Sequence, residues 1–458
     1  MMITLGELAQ VLDGAATADP DARVESVSTD SRTLATGALF VALRGPRFDG
    51  HDHAAQARQR GAAALMVERS VPVDLPQLRV PDARRALGRA AGHWRSGFSM
   101  PVVAVTGSNG KTTLTQMIGS IFAQAYGERD ARPLWLATRG NMNNEIGLPL
   151  MLFELAEHHR AAVFELGMNR PGEIAELARL ARPTLAVVNN AQREHQEFLA
   201  SPAATARENG AALALLPPDG IAVFPSDDAC APIWRDLAGM RRVIDFAMHG
   251  PAMVGVRYAA HASGSDLQIS TAAGPIETSL AVAGAHNVHN ALAAAACCLG
   301  LGIAPQAIGA GLASFRAVAG RGVRLCAPHD TVVIDDSYNA NPDSVRAAIE
   351  LLAGQSAPRV LVLGDMGEVG AQGPAFHREV GAYARAKGIE VLLATGPLSR
   401  EAVAAFGAGA QHFDRIEALI EAARASLAKA GALLVKGSRF MQMERVVQAL
   451  AAGPADGH

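Results

Sequence analysis

The chain has 458 residues, which at about 150 per domain suggests roughly three domains. Lys and Arg number 41 against 44 Asp and Glu, a net charge of −3, so a general nucleic-acid or membrane-surface binder, which needs a clustered basic excess, is excluded. Hydrophobic residues make up 49% and charged residues 19%, which excludes a disordered chain.

The N-terminus carries Glu7 and no basic run, so it does not read as a secretion signal. Ala38-Leu-Phe-Val-Ala-Leu43 predicts a buried strand by its length and apolar content. Arg44-Gly-Pro-Arg-Phe-Asp-Gly50 predicts a polar loop by its Gly and Pro. Ala83 to Trp94 has helical spacing. Pro101 to Thr106 then predicts a strand, and Lys111 to Tyr126 an amphipathic helix. Ala161-Ala-Val-Phe-Glu165 and Thr184 to Asn189 predict strands separated by helical patterns, and such alternation implies parallel pairing. Arg257 to Val282 shows short alternating runs with Gly turns, which predicts an antiparallel appendage. An Ala-rich helix is expected from about Asn287 to Leu299. The longest apolar stretch, Ala291 to Ala304, is too short and too Gly-broken to cross a bilayer. A third unit begins near Ala319. Thr331 to Asp335, Arg359 to Leu363, Val391 to Ala394 and Leu433 to Lys436 predict four strands of a doubly wound α/β unit. Cys230, Cys297, Cys298 and Cys326 lack zinc-type spacing and read as reduced core thiols of a cytoplasmic protein. With no heptad pattern, a monomer is expected.

The most specific signal is Thr106-Gly-Ser-Asn-Gly-Lys-Thr-Thr113, which leaves an apolar strand and opens a helix. Gly107 and Gly110 let the backbone curl so that amides point inward around Ser108 and Asn109. The helix adds its positive dipole end. Lys111 can reach the β- and γ-phosphates of a nucleotide, and the Thr112 hydroxyl can hold Mg²⁺. Val105 stands where the standard eight-residue pattern has its first Gly. Phosphoryl transfer needs a metal held by more than one hydroxyl. Glu165 closes the next-but-one strand, where a parallel sheet gathers its ligands, and a carboxylate suits a hard cation. His195 follows the next strand and is expected at the same edge.

These motifs converge on a family. The phosphate loop, Gly140-Asn-Met-Asn-Asn-Glu-Ile-Gly147, Glu165-Leu-Gly-Met-Asn169 and Gly172-Glu-Ile174 resemble the Mur ligases, the ATP-dependent amide ligases of peptidoglycan precursor assembly. Gly284-Ala-His-Asn-Val-His-Asn290, Gly320-Arg321, Asp335 to Ser344, Leu363-Gly-Asp-Met-Gly-Glu368 and Val435-Lys-Gly-Ser-Arg439 agree, in order, over nearly the whole chain. Phe40 to Gly45 with Asp49-Gly-His-Asp52, and the Tyr338-Asn-Ala-Asn-Pro342 run, are similar to the members that add D-alanyl-D-alanine to UDP-N-acetylmuramoyl-tripeptide.

The resemblance implies an α/β fold of three domains. Residues 1–98 would form an α/β uridine-binding domain, 99–318 a central P-loop-type parallel-sheet ATPase domain, and 319–458 a C-terminal Rossmann-like domain. It implies ATP and Mg²⁺ as cofactors and an acyl-phosphate intermediate on the tripeptide carboxylate. Position by position, Gly107 to Thr113 would cradle phosphates, with Lys111 stabilising the transferring phosphoryl group. Thr112, Glu165 and His195 would hold metal. Asn290 would contact adenine, and Arg321 and Asp336 the nucleotide's phosphates and ribose. Ser31 and Arg32 would help hold the uridine end. Asn141, Asn144 and Glu145 would reach the muramoyl-peptide arm, and the loop with Asn339 and Asn341 would dock the incoming dipeptide.

Many Mur ligases carry a carbamylated lysine that helps bind a second Mg²⁺. Asn209 stands at the matching position here and cannot form a carbamate. Its side-chain oxygen, or Glu208, is expected to hold that ion directly or through water. Two other readings compete: a folylpolyglutamate synthase-like ligase, which lacks an N-terminal domain of this kind, and a nucleotide-gated scaffold protein.

Overall fold

Three β-sheets organise the chain, each wrapped by helices. The computed structural model describes residues 3–194, 197 and 201–451. His195 therefore lies outside the described residues.

The first sheet has five strands in the order Ala16–Thr17, Gln77–Arg79, Ala64–Val67, Ala38–Val41, Ser26–Ser28. Ala38–Val41 and Ala64–Val67 are buried at every residue, which is why they read as unbroken apolar runs. The expected polar loop after Leu43 instead contains a short antiparallel pair, Arg44–Gly45 with Phe48–Asp49. Gly50 ends it: its amide donates to the Leu43 carbonyl at 2.7 Å, and a Cβ there would lie 2.7 Å from Leu43 backbone atoms. Asp82 caps the helix Ala83–Ser96, whose Ala83, Ala86, Leu87, Ala90 and Ala91 are buried at the spacing of one helical face.

The second sheet has nine strands. Their order is Trp135–Ala137, Ala161–Glu165, Val102–Thr106, Leu185–Val188, Ile221–Pro225, Arg242–Ala247, Val254–His261, Gly264–Ser270, Ile276–Leu280. The first seven run parallel. The last two pair antiparallel, so the expected appendage is the edge of the sheet itself. Its inward residues Val254, Leu267, Ile269 and Ile276 join the core shared with the helices Lys111–Tyr126 and Ala285–Gly300. Lys111–Tyr126 is the helix that was expected, but its apolar face is wider than an amphipathic pattern implies. It is buried on most sides, because Ala285–Gly300 and Pro305–Ser314 cover the flank that the sheet leaves open. Gly311 allows the closest approach: a Cβ there would lie 2.4 Å from the Ile121 Cα.

The third sheet has six strands in the order Val323–Cys326, Val332–Asp336, Ala432–Lys436, Arg359–Gly364, Val391–Thr395, Ala410–Phe413. Four match the sequence expectation. The two edge strands are short and half-exposed, with apolar and polar residues mixed, so their patterns carry little signal. Cys326 lies on one of them and is exposed, whereas Cys230, Cys297 and Cys298 are buried as expected.

Gly311→Ala should push the helix that carries Lys111 off its seat. Overpacking of this kind costs about 1–3 kcal/mol, read as a lower midpoint of thermal unfolding with the nucleotide site weakened in parallel. An unchanged midpoint would show that the two helices are not in tight contact.

Candidate active site

The site grows from three parallel strands that end side by side. Val102–Thr106 lies between Ala161–Glu165 and Leu185–Val188, with Val105 opposite Glu165 and Thr106 opposite Val188. Beyond Thr106 the chain turns through Gly107 (φ +125) and Gly110 (φ +83), conformations that only glycine adopts without strain. A Cβ on Gly110 would also lie 2.3 Å from Asn290 Oδ1.

The loop between these glycines is held by asparagines. The Gly107 amide donates to Asn209 Oδ1 at 3.0 Å. The Ser108 amide donates to the Asn190 carbonyl, and the Asn109 amide to Asn190 Oδ1 at 2.9 Å. The Asn109 carbonyl accepts from Asn189 Nδ2 and Asn190 Nδ2 at 2.8 and 3.0 Å. These amides therefore shape the loop. The amides of the first helical turn, from Lys111 onward, are the ones a helix N-terminus offers to an anion. Asn209 and Glu208 are thus committed differently from the sequence expectation of an ion site. Asn209 supports the loop, and Glu208 accepts from the Gly172 and Ile174 amides at 2.9 and 3.1 Å, where it caps the helix Glu173–Ala181.

Lys111 Nζ donates to the Gly107 and Ser108 carbonyls at 2.6 and 3.1 Å and pairs with Glu194 at 3.1 Å. Glu165 is buried, with one oxygen accepting from the Thr112 hydroxyl at 2.8 Å and the other from Asn143 Nδ2 at 2.7 Å. Thr138 Oγ1 accepts from the Glu165 amide at 3.0 Å. Thr112 and Glu165 offer hard oxygen donors beside the loop, which is the donor set a magnesium ion takes.

A cavity of about 720 Å³ opens over this loop. The loop, Glu165, Asn141, Asn144, Glu145 and Asn290 line it from the central unit. Arg321, Asp336, Asn339 and Asn341 line it from the C-terminal unit. Asn290 Oδ1 accepts from Asn189 Nδ2 at 2.8 Å. Arg321 lies over the Tyr338 ring at 4.2 Å. Asp336 pairs with Lys436 at 2.6 Å, and Lys436 also donates to the Asn339 carbonyl. Asn341 caps the helix Pro342–Ala353 and reaches across to Asn109 Oδ1 at 2.9 Å. Asn144 accepts from the Gly147 amide at 2.8 Å, and Glu145 pairs with Arg84 at 3.1 Å. In the cleft wall, His289 donates to the Asn189 carbonyl at 2.8 Å. Burial pushes its imidazole below the ordinary histidine range, and the bond to Asn189 pulls weakly the other way.

Ser31 and Arg32 do not line this cavity. Ser31 is buried and donates to Gln56 at 2.6 Å, and exposed Arg32 pairs with Asp30. Sequence reasoning missed Asn143, Tyr338 and Lys436. Asn143 sat between two named residues of one motif. Lys436 had a sharper signal, because a lysine closing a fully buried strand must find a carboxylate.

A strand–loop–helix phosphate cradle, roofed by a second α/β unit, defines a three-unit protein of the phosphate-loop class. Family models agree along the chain: the Mur ligase family catalytic domain matches residues 23–95, the Mur ligase middle domain 105–298, and the Mur ligase glutamate ligase domain 320–439. The UDP-N-acetylmuramoyl-tripeptide–D-alanyl-D-alanine ligase of Escherichia coli K12 is 40% identical over 98% of each chain. That of Bacillus subtilis 168 is 32% identical over 94% of each. The crystal structure of MurF from Acinetobacter baumannii superposes with a TM-score of 0.89 at 31% identity, covering 99% of both chains. The MurF ligase of Thermotoga maritima in complex with ADP gives 0.82 at 25% identity, covering 94% of this chain and 97% of that one. The chain belongs to the Mur ligase family and is an ATP-dependent ligase.

Asn209→Ala should leave the buried Gly107 amide without its acceptor, at a cost of about 1–3 kcal/mol. Thermal unfolding with and without an ATP analogue checks it, with a lower midpoint and a smaller ligand-induced rise expected.

Proposed function

We propose that the chain joins D-alanyl-D-alanine to the carboxylate of UDP-N-acetylmuramoyl-tripeptide, using ATP and Mg²⁺. The observation that carries this reading is the cavity over the phosphate loop, lined by both the central and the C-terminal unit. The relatives that match nearly the whole chain bear the name of that reaction.

A carboxylate is a poor acyl donor because it would have to expel oxide. Transfer of the γ-phosphoryl group to the tripeptide carboxylate gives an acyl phosphate and ADP. The dipeptide amine then attacks the acyl carbon, phosphate leaves, and the amine loses a proton. Most of the work is placement and charge stabilisation. Lys111 offsets the negative charge that repels the incoming carboxylate. The first-turn amides hold the phosphates. Thr112 and Glu165 would hold magnesium, with His195 assigned to the same shell, and Asn143 keeps Glu165 aimed. When bound, that ion supplies further charge neutralisation on the phosphoryl oxygens. Asn290, Arg321 and Asp336 would take the base, phosphates and ribose. Asn141, Asn144 and Glu145 would receive the peptide arm, and Asn339 and Asn341 the dipeptide.

The same proposal divides the chain at 98/99 and 318/319, in keeping with three sheets that share no strand. Residues 1–98 would bind the uridine end through the segment with Ser31 and Arg32. The substrates are small molecules and the enzyme would work as a cytoplasmic monomer; among the described residues no helix is long and apolar enough to cross a membrane. Ligation would need no carbamate, because the side chain at position 209 is an amide already bonded to the loop.

Phosphate release should require a UDP-muramoyl tripeptide and D-alanyl-D-alanine together; release driven by a folate polyglutamate, or by ATP alone, would sink the reading. Lys111→Ala should lower turnover roughly a hundred to a thousand fold while UDP-substrate binding persists. Activity in CO₂-free buffer should equal that with bicarbonate, and a collapse that bicarbonate reverses would refute the carbamate-free site.

A further inference from the structure

The chain after Val188 runs beside the phosphate loop with alternating side chains. Asn190 Oδ1 accepts from the Asn109 amide, Gln192 Oε1 from Asn109 Nδ2 at 2.6 Å, and Glu194 pairs with Lys111. Gln192 also exchanges bonds with Ser108: its amide donates to Ser108 Oγ at 2.9 Å. Arg193 takes the opposite direction. Its guanidinium spans the gap to the C-terminal unit, where it meets Asp343 at 2.6 Å and Glu379 at 2.6 Å. The Arg193 amide donates to Asp343 Oδ2 at 2.8 Å, and the Phe376 ring lies 5.3 Å from the guanidinium carbon. Asp343 opens the helix Pro342–Ala353, and Glu379 lies on the helix Gly373–Ala386. One arginine thus fastens two helices of the C-terminal unit to the strand-end loop that grips the phosphate loop.

We infer that Arg193 is a positioning residue for ligation: it clamps the C-terminal unit over the phosphate loop and so sets the closed form in which nucleotide and dipeptide bind. The inference rests on the proposed function for its substrates. Among the described residues, the Arg193 guanidinium bonds to the lining of the nucleotide site at Asp343. Its effect is on the population of the closed form. A ligand that needs that form binds more weakly by the fraction of molecules that have it. Arginine suits the place, because its planar fork meets two carboxylates at once, and a lysine ammonium offers only a point charge. Glu379 is shared with Arg346 at 3.2 Å, so the clamp is a small network, and its members should not act additively.

The test uses the full chain and the variants Arg193→Ala, Arg193→Lys and Glu379→Gln, alone and with Arg193→Ala. Two quantities are read: steady-state constants for each substrate, and equilibrium affinity for a non-hydrolysable ATP analogue with magnesium. Arg193→Ala should raise KM for ATP and for the dipeptide about tenfold or more, with KM for the UDP-muramoyl tripeptide changed less than about twofold. Arg193→Lys should restore part of the loss. Glu379→Gln should shift the same constants, and the double variant should be no worse than Arg193→Ala. Thermal midpoints within a few degrees of the parent separate a lost clamp from a lost fold, and the lysine and glutamine variants serve if the alanine variant does not fold. Unchanged nucleotide affinity in Arg193→Ala, or losses that multiply in the double variant, would overturn the clamp. If the parent shows no ligation at all, the proposed reaction falls, while analogue affinity still decides the clamp.

Discussion

Val105 stands opposite Glu165 and Thr106 opposite Val188 in one parallel ladder. Parallel strands end on a common edge, so whatever follows each strand is delivered to the same place. After Thr106 comes the phosphate loop, at the end of its neighbour Glu165, and after Val188 the paired asparagines. No long-range folding device is needed to gather them. A slip of one residue in this register would turn Glu165 to the opposite face of the sheet and separate it from Thr112. The buried strands make that slip costly, because all five residues of Val102–Thr106 and of Ala161–Glu165 lie inside.

The loop itself is not self-supporting. A backbone with two left-handed glycines has few internal bonds, and buried amides must find acceptors. Asparagine is well suited to this task, since one side chain both donates and accepts. Asn190 does so around Asn109, accepting from its amide and donating to its carbonyl. Asn209 comes from a different helix and supplies the Gly107 acceptor. The result is a loop whose shape is set by the protein's own side chains.

Much of this was legible in the chain because the signals are local. Thr106 to Thr113 carries its glycines, its lysine and its helix start within eight residues. Strands buried on both faces read directly from apolar runs. The unread parts are those set by distant partners. Asn143 gains its role only from meeting Glu165, 22 residues away, and Arg193 only from meeting Asp343 and Glu379, 150 and 186 residues away. Glu208 and Asn209 are singled out by motif position alone, and the backbone amides that bond to them come from other segments. The edge strands Val323–Cys326 and Ala410–Phe413 escaped for a different reason. An edge has one solvated side and one missing neighbour, so neither burial nor alternation marks it.

Charge pairing in the cleft sets what a ligand must do to enter. Lys111 pairs with Glu194, Lys436 with Asp336, and Arg193 with Asp343 and Glu379. Each of these cations is at least half-buried and would be costly to hold without a counter-charge. On the proposed reading, a polyphosphate would compete for the Lys111 ammonium with the Glu194 carboxylate and the two loop carbonyls it bonds. The exchange is favourable when the incoming anion carries more charge than the carboxylate it displaces, and the dipole of the helix Lys111–Tyr126 adds to the phosphate side only. Glu194 is bonded in sequence to Arg193, so its displacement bears on the residue that fastens the C-terminal unit. On that reading nucleotide entry and domain docking would draw on one short stretch of chain, in which the adjacent Arg193 and Glu194 face opposite units.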